Sequence, residues 1–335
     1  MSLVPEQKWH THRDESEHVA DNKEIINNLY PNSVVIDAQR GSLVAEKLLQ
    51  MYITTGIFGN KAMPEDYPPQ GVEIGSREHL LFLTLTVAID YMRNADALWE
   101  SARKTYEDPE TRFVFFPEQL ATVPLGQVKT IKSALTKYKL ALRPNRDTNI
   151  WLTIALTIHN EWMDDPWNFL RAMKFDALKI VEHLKKNKAK YPNLNGEKIR
   201  SLWLRMLRDN AKINLKNLEN IPIPVDVHIA RATLNLGVIR GEFEGALDDF
   251  RELVVTAWME STKLLRNSGK HIIALDLDRP LWHLSRNGCS FRESVSPVSC
   301  PKFKKCPLKE YCTSGEIKIK KKDRHHYWVH LRTSK

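Results

Sequence analysis

An all-α fold is predicted by three features of this 335-residue sequence. Apolar residues recur at helical spacing through most of it, as in Leu43, Val44, Leu48, Leu49, Tyr52 and Ile53. Runs of strict two-residue alternation are scarce, so no strand is assigned. Residues that start helices stand ahead of the apolar stretches: Ser76, Asp165 followed by Pro166, and Asp226.

Taken in order, residues 1–40 are polar and read as an N-terminal extension. A helix over 42–58 follows, with Gly56 as its stop. Three prolines between Met63 and Val72 mark a loop or boundary. Ser76 caps a helix predicted to run to about Thr105. Its first half, Leu80 to Ile89, is apolar on nearly every face, as in a helix at the centre of a domain, and is too short to span a bilayer. The helix then turns polar at Asp90, Tyr91, Met92, Arg93 and Asn94. A core helix with a polar end often reaches a cleft, so Asp90, Tyr91, Arg93 and Asn94 are candidate pocket residues.

Amphipathic helices are predicted at about 117–122, 126–140, 147–162, 166–173 and 176–189. Between Tyr191 and Leu207, two helices join through a tight Asn193-Leu194-Asn195-Gly196 hairpin, with Gly196 able to take positive φ. The second helix starts at Glu197–Lys198, and amides at such a hairpin are able to bind phosphate. Pro222 and Pro224 fix an extended lead-in to a helix capped by Asp226. A long helix spans about 243–266. The last clear helix opens at Asp276 or Asp278 and closes at Gly288. Residues 314–335 form a basic tail with interleaved aromatics, suited to a phosphate backbone or to solvent.

All four cysteines, Cys289, Cys300, Cys306 and Cys312, fall in one stretch with gaps of ten, five and five residues. Disulfides belong mostly to small secreted domains. Zinc prefers closer cysteine pairs, and iron–sulfur clusters also take four thiolates. Spacing alone leaves the two metals open. The first residues, from Met1 to His18, show no apolar signal-peptide core, so a soluble intracellular protein is expected, with no membrane association and a monomeric state. The formal charge of +9 favours a polyanionic partner such as nucleic acid.

Three segments in this order resemble one family. A helical hairpin ending in Gly196-x-Lys198, the run Val225-Asp226-Val227-His228-Ile229-Ala230-Arg231, and a helix carrying Trp282 that ends in Gly288-Cys289 with three further cysteines are similar to the helix-hairpin-helix DNA glycosylases of the endonuclease III superfamily. The similarity covers roughly residues 76–312. It implies a two-domain fold: a six-helix domain over 76–224 and a cluster-bearing helical domain from 41–75 and 225–313, with a cleft between. It also implies a [4Fe–4S] cluster on the four cysteines, with zinc as the alternative, and double-stranded DNA as partner. Two departures stand out: the first two cysteine gaps are wider than the family's, and Leu194 replaces a hairpin glycine.

By that resemblance Asp226 stabilises positive charge on the deoxyribose during N-glycosidic cleavage. A monofunctional enzyme of this kind uses water as nucleophile, and in a bifunctional one Lys198 is the amine for the associated AP-lyase reaction. Asn193, Leu194, Asn195 and Gly196 hold the DNA backbone, with further DNA contacts from Arg231, Lys302, Lys304 and Lys305. The expected activity is base-flipping excision of a damaged or modified base. The alternatives are a non-catalytic nucleic-acid-binding protein on this scaffold, or a glycosylase directed at hypermodified bases of foreign DNA.

Overall fold

The computed structural model describes residues 33–124, 127–323 and 326–334. Most of the N-terminal extension lies outside these residues. The described chain is mostly helical. Twelve α-helices run in order: α1 (Ala38–Thr54), α2 (Arg77–Ala88), α3 (Ala95–Glu107), α4 (Pro117–Ala121), α5 (Val128–Lys137), α6 (Pro144–Trp162), α7 (Pro166–Ala172), α8 (Ala177–Lys186), α9 (Glu197–Asp209), α10 (Val227–Asn235), α11 (Leu247–Asn267) and α12 (Asp278–Asn287).

The expectation of an all-α chain is corrected by a four-stranded antiparallel sheet. Its strands are β1 (Val34–Ile36), β2 (Ile239–Ala246), β3 (Glu316–Lys321) and β4 (Tyr327–Arg332), in the order β1-β2-β4-β3. The basic C-terminal segment is thus largely a hairpin, with Ile319 facing Val329 and Val329 facing Gly245. Its inward side chains, Ile319, Val329 and Leu331, pack with Phe243 of β2. β2 also takes the first four residues assigned above to a helix at 243.

Two apolar cores organise the rest. The first surrounds α2, where every residue from His79 to Ala88 is buried, and includes Trp99, Phe115, Trp151 and Leu204. The second gathers Val44 and Leu48 of α1, Ile229 of α10, Val254 and Trp258 of α11 and Leu284 of α12 over the sheet. Here α1 approaches α11 closely: a Cβ on Gly41 would stand 2.0 Å from Ser261 Oγ, so only glycine fits.

The predicted long helix from Ser76 is two helices. Ser76 caps α2, accepting the His79 amide at 3.1 Å. The chain leaves helical geometry after Ala88, Met92 takes a left-handed φ of 54°, and Asn94 caps α3 through the Ala97 amide at 2.9 Å. A second good N-cap inside a helical pattern restarts the helix. The break projects residues 89–94 between the two cores.

Buried charge joins the cores. Arg205 of α9 is fully buried, ion-paired to Glu65 and, through Nε at 3.0 Å, to Asp278 of α12. Burial opposes its charge, but the two carboxylates outweigh burial and hold its pKa above normal. Arg279 grips Asp66 with its two terminal guanidinium nitrogens, at 2.9 and 2.6 Å. Arg205→Met strands two buried carboxylates and is expected to cost about 3–5 kcal/mol in urea unfolding. Burial pushes Asp278 up to about 6 despite Arg205. Its folded pKa therefore exceeds its unfolded value of about 4, so its contribution is full below pH about 4 and is lost as pH rises through about 6. Without Arg205 it rises further, and the deficit of the variant should be smaller at pH 5 than at pH 8.

Candidate active site

A cleft of about 560 Å³ lies between the two cores. That is within the usual range for small-molecule and cofactor sites. One wall is the α2–α3 break, where Asp90, Tyr91, Arg93 and Asn94 all line the space. Lys198 enters from the first turn of α9 and Asp226 from the start of α10. Trp282 and Arg286 of α12 and Tyr327 of β4 complete it.

Most charges here are already spent. Glu65 and Asp278 pair with Arg205, Asp96 pairs with Arg286, and Asp248 pairs with Arg251 at 2.7 Å. Arg93 donates to the carbonyls of Leu140 and Lys139, at 2.6 and 3.2 Å. Among the described residues, Lys198, Asp90 and Asp226 form no ion pair. Lys321 of β3 also lines the cleft without an ion pair among the described residues, so the unpaired groups are two amines and two carboxyls.

Asp226 caps α10. One oxygen, Oδ1, accepts both the His228 amide at 2.8 Å and the Ile229 amide at 2.9 Å. Oδ2 has no hydrogen bond among the described residues. Capping and chemistry therefore use different oxygens of one carboxylate and do not compete. His228 contacts Ser285 Oγ through Nδ1 at 3.2 Å, and its ring lies tilted 5.6 Å from Trp282. Burial lowers its pKa, with only partial offset from Asp226, which favours the neutral ring.

The hairpin departs from expectation in three ways. The left-handed residue is Asn193, φ 64°, whereas Gly196 sits at φ −74° as the N-cap of α9. Leu194 is 1% exposed in the first core, so its side chain is out of reach of DNA. The amides of Leu194, Asn195 and Gly196 donate to Pro192, Tyr191 and Asn193 carbonyls at 2.9–3.0 Å. These donors are consumed inside the turn. The open ones are one step later, because Gly196 brings no capping side chain to the first turn of α9. Asn193 instead ties the hairpin to the first core, donating to the Ala88 carbonyl at 2.8 Å.

The cysteine spacing has a structural reason. Pro297–Ser299, Phe303–Lys305 and Lys309–Tyr311 each form one 3₁₀ turn, and each ends on a cysteine. Cys300, Cys306 and Cys312 share nearly one backbone conformation, φ −66 to −73° and ψ 118 to 125°. The wide first gap is held by Arg292, which donates to the carbonyls of Ser294, Val295 and Gly315 and to Asn235 Oδ1. One of its nitrogens is 3.8 Å from Cys312 Sγ.

None of the four cysteines is joined in a disulfide. Burial, then repulsion from the other sulfurs, pushes Cys289 and Cys306 up, Cys306 to about 11. No three His, Cys, Asp or Glu side chains among the described residues are placed to hold a metal ion. The other three sulfurs lie near enough to Cys289 to raise its pKa. Zinc requires four ligands about 2.0–2.3 Å from a single atom. A cluster distributes four thiolates over several irons, and the count and chemistry of this donor set suit it.

Arg231 is half-buried beside Cys289 and within 3.4 Å of Ser285 Oγ, away from the cleft. Its electrostatic partner is the cysteine module. Lys304 and Lys305 are exposed on that module, and Lys302 lies over the Phe291 ring at 5.0 Å. Sequence reasoning gave no role to Glu65, Arg205, Asp278, His228 or Trp282. His228 and Trp282 stood in the motifs quoted above and Asp278 was a candidate helix start, whereas Glu65 and Arg205 carried no signal.

No protein-family model and no curated protein matches the chain. No helix among the described residues is long and apolar enough to cross a membrane.

Proposed function

We propose that the chain is a DNA glycosylase that draws a damaged or modified base from duplex DNA into the cleft and cuts its N-glycosidic bond. The observation that carries this reading is the set of groups left unpaired in the cleft. A carboxylate with one free oxygen and a lysine amine face a space roomy enough for a base and its sugar between two helix N-termini. Bond cleavage builds positive charge on the deoxyribose, and Asp226 Oδ2 is available to stabilise it. In the lyase branch, the neutral amine of Lys198 attacks C1′ as the base departs with the bonding pair and a proton. The C1′–O4′ bond then breaks with its electron pair going to O4′, which takes the second amine proton, and the C1′=N Schiff base forms. The open amides of the first turn of α9 suit a backbone phosphate.

Cys289, Cys300, Cys306 and Cys312 would hold a [4Fe–4S] cluster, whose contribution would be structural. The module is anchored to α10, the helix that begins at Asp226. The Thr313 amide donates to the Asn235 carbonyl at 2.9 Å, and Arg292 binds the Asn235 side chain. Arg40 adds a bond to the Tyr311 carbonyl at 2.6 Å.

The direct test is excision from duplexes each carrying one altered base, with borohydride trapping for the imine. DNA binding without excision of any base would replace this reading with a non-catalytic binding protein. Protein purified without oxygen should contain about four irons and four sulfides per chain, and Cys306→Ser should lose both and melt earlier. One zinc without iron would overturn the cluster assignment.

A further inference from the structure

Asp90 is only 8% exposed, yet its carboxyl has no hydrogen-bond or ion-pair partner among the described residues. It lines the cleft from the α2–α3 break, on the opposite core from Asp226. A buried polar group without a partner costs stability. The Asp90 oxygens open onto the cleft, so their partner is whatever fills it, water in the free protein and a bound base in the complex. We propose that Asp90 selects the base, presenting its carboxyl as a paired hydrogen-bond donor and acceptor to one edge of a nucleobase drawn into the cleft.

This inference rests on the glycosylase reading and adds a specificity residue to it. Burial pushes the Asp90 carboxyl up, against the pull of Lys198 and Arg93 and with help from Glu65 and Asp226. The protonated form offers one O–H donor and one carbonyl acceptor side by side. That pair matches a base edge carrying a ring nitrogen lone pair beside an amino group, or a carbonyl beside a ring N–H. An ionised carboxylate would only accept. A site that hydrogen-bonds its substrate discriminates strongly, because the wrong base leaves buried groups unpaired.

Asp90→Asn keeps a donor and an acceptor at the same place, whereas Asp90→Ala removes both. Asp90→Leu removes them without opening a cavity. Each variant deletes a buried unpartnered carboxyl and should melt at or above the wild type. On the best base of the duplex panel, Asp90→Ala and Asp90→Leu are expected to lower kcat/KM by about 10- to 100-fold. Preference among bases should narrow, and affinity for a duplex with a non-cleavable abasic analogue should be unchanged. Asp90→Asn should retain most of the rate and the preference. Wild-type rate and preference in Asp90→Ala would overturn the inference alone. So would equal damage in Asp90→Asn and Asp90→Ala, which would show that the ionised form is needed. A wild-type chain inert on every duplex would remove the glycosylase reading, and this inference with it.

Discussion

Asp226→Asn is expected to lower single-turnover base excision by about 10²- to 10³-fold, the range seen when one group stabilising transition-state charge is removed. The fold should survive. Asp226 is the N-cap of α10, with Oδ1 accepting the amides of His228 and Ile229. Asparagine caps about as well as aspartate, and the lost interaction of the charge with the helix dipole costs only about 0.3–1 kcal/mol. Affinity for duplex DNA should hold or tighten, since a negative charge leaves the path of a polyanion. Asp226→Ala is the structural control: it loses the cap as well, at about 1 kcal/mol. Full excision by Asp226→Asn would reduce Asp226 to a cap and end its catalytic assignment.

The residues that gave this prediction were legible because their local chemistry is strong. Pro222 and Pro224 ahead of Asp226 fix an extended lead-in and a cap, and the structure has both. The start of α9 at Glu197 was equally legible. The strands were not. In β2 the buried positions alternate with exposed ones along Ile239-Arg-Gly-Glu-Phe-Glu-Gly-Ala246. Two glycines and two glutamates, all poor strand formers, mask that period. In β3, Ile317 and Ile319 alternate with lysines, and the basic composition hides the pattern. Both strands owe their state to pairing with β4 more than to their own residues.

The break that places Asp90 in the cleft was hidden for a related reason. Asn94 is an ordinary polar residue on a helical pattern until a left-handed Met92 precedes it. The ion cluster of Glu65, Arg205 and Asp278 joins segments 140 and 73 positions apart. No local pattern encodes such a contact. The paired 3₁₀ turns that deliver Cys306 and Cys312 do have a sequence trace, the six-residue interval from Cys300 onward. Spacing rules built on closer cysteine pairs do not contain it.

Lys198→Ala is expected to abolish the borohydride-trapped adduct and to lower strand cleavage by at least about 10²-fold. The position of Lys198 separates a chemical role from a structural one. It is the second residue of α9, where the helix dipole is positive and the first amides lack a capping side chain. A cation there is opposed by about 0.3–1 kcal/mol, and alanine is the better helix former. Lys198 forms no ion pair among the described residues that its removal would break. Lys198→Ala should therefore melt at or slightly above the wild type while losing the covalent intermediate. A retained adduct would assign the amine to another residue. A wild type that excises bases without any adduct would make water the nucleophile. In that case Lys198→Ala should weaken DNA binding and flatten its salt dependence by about one phosphate contact, with the cleavage chemistry left to Asp226.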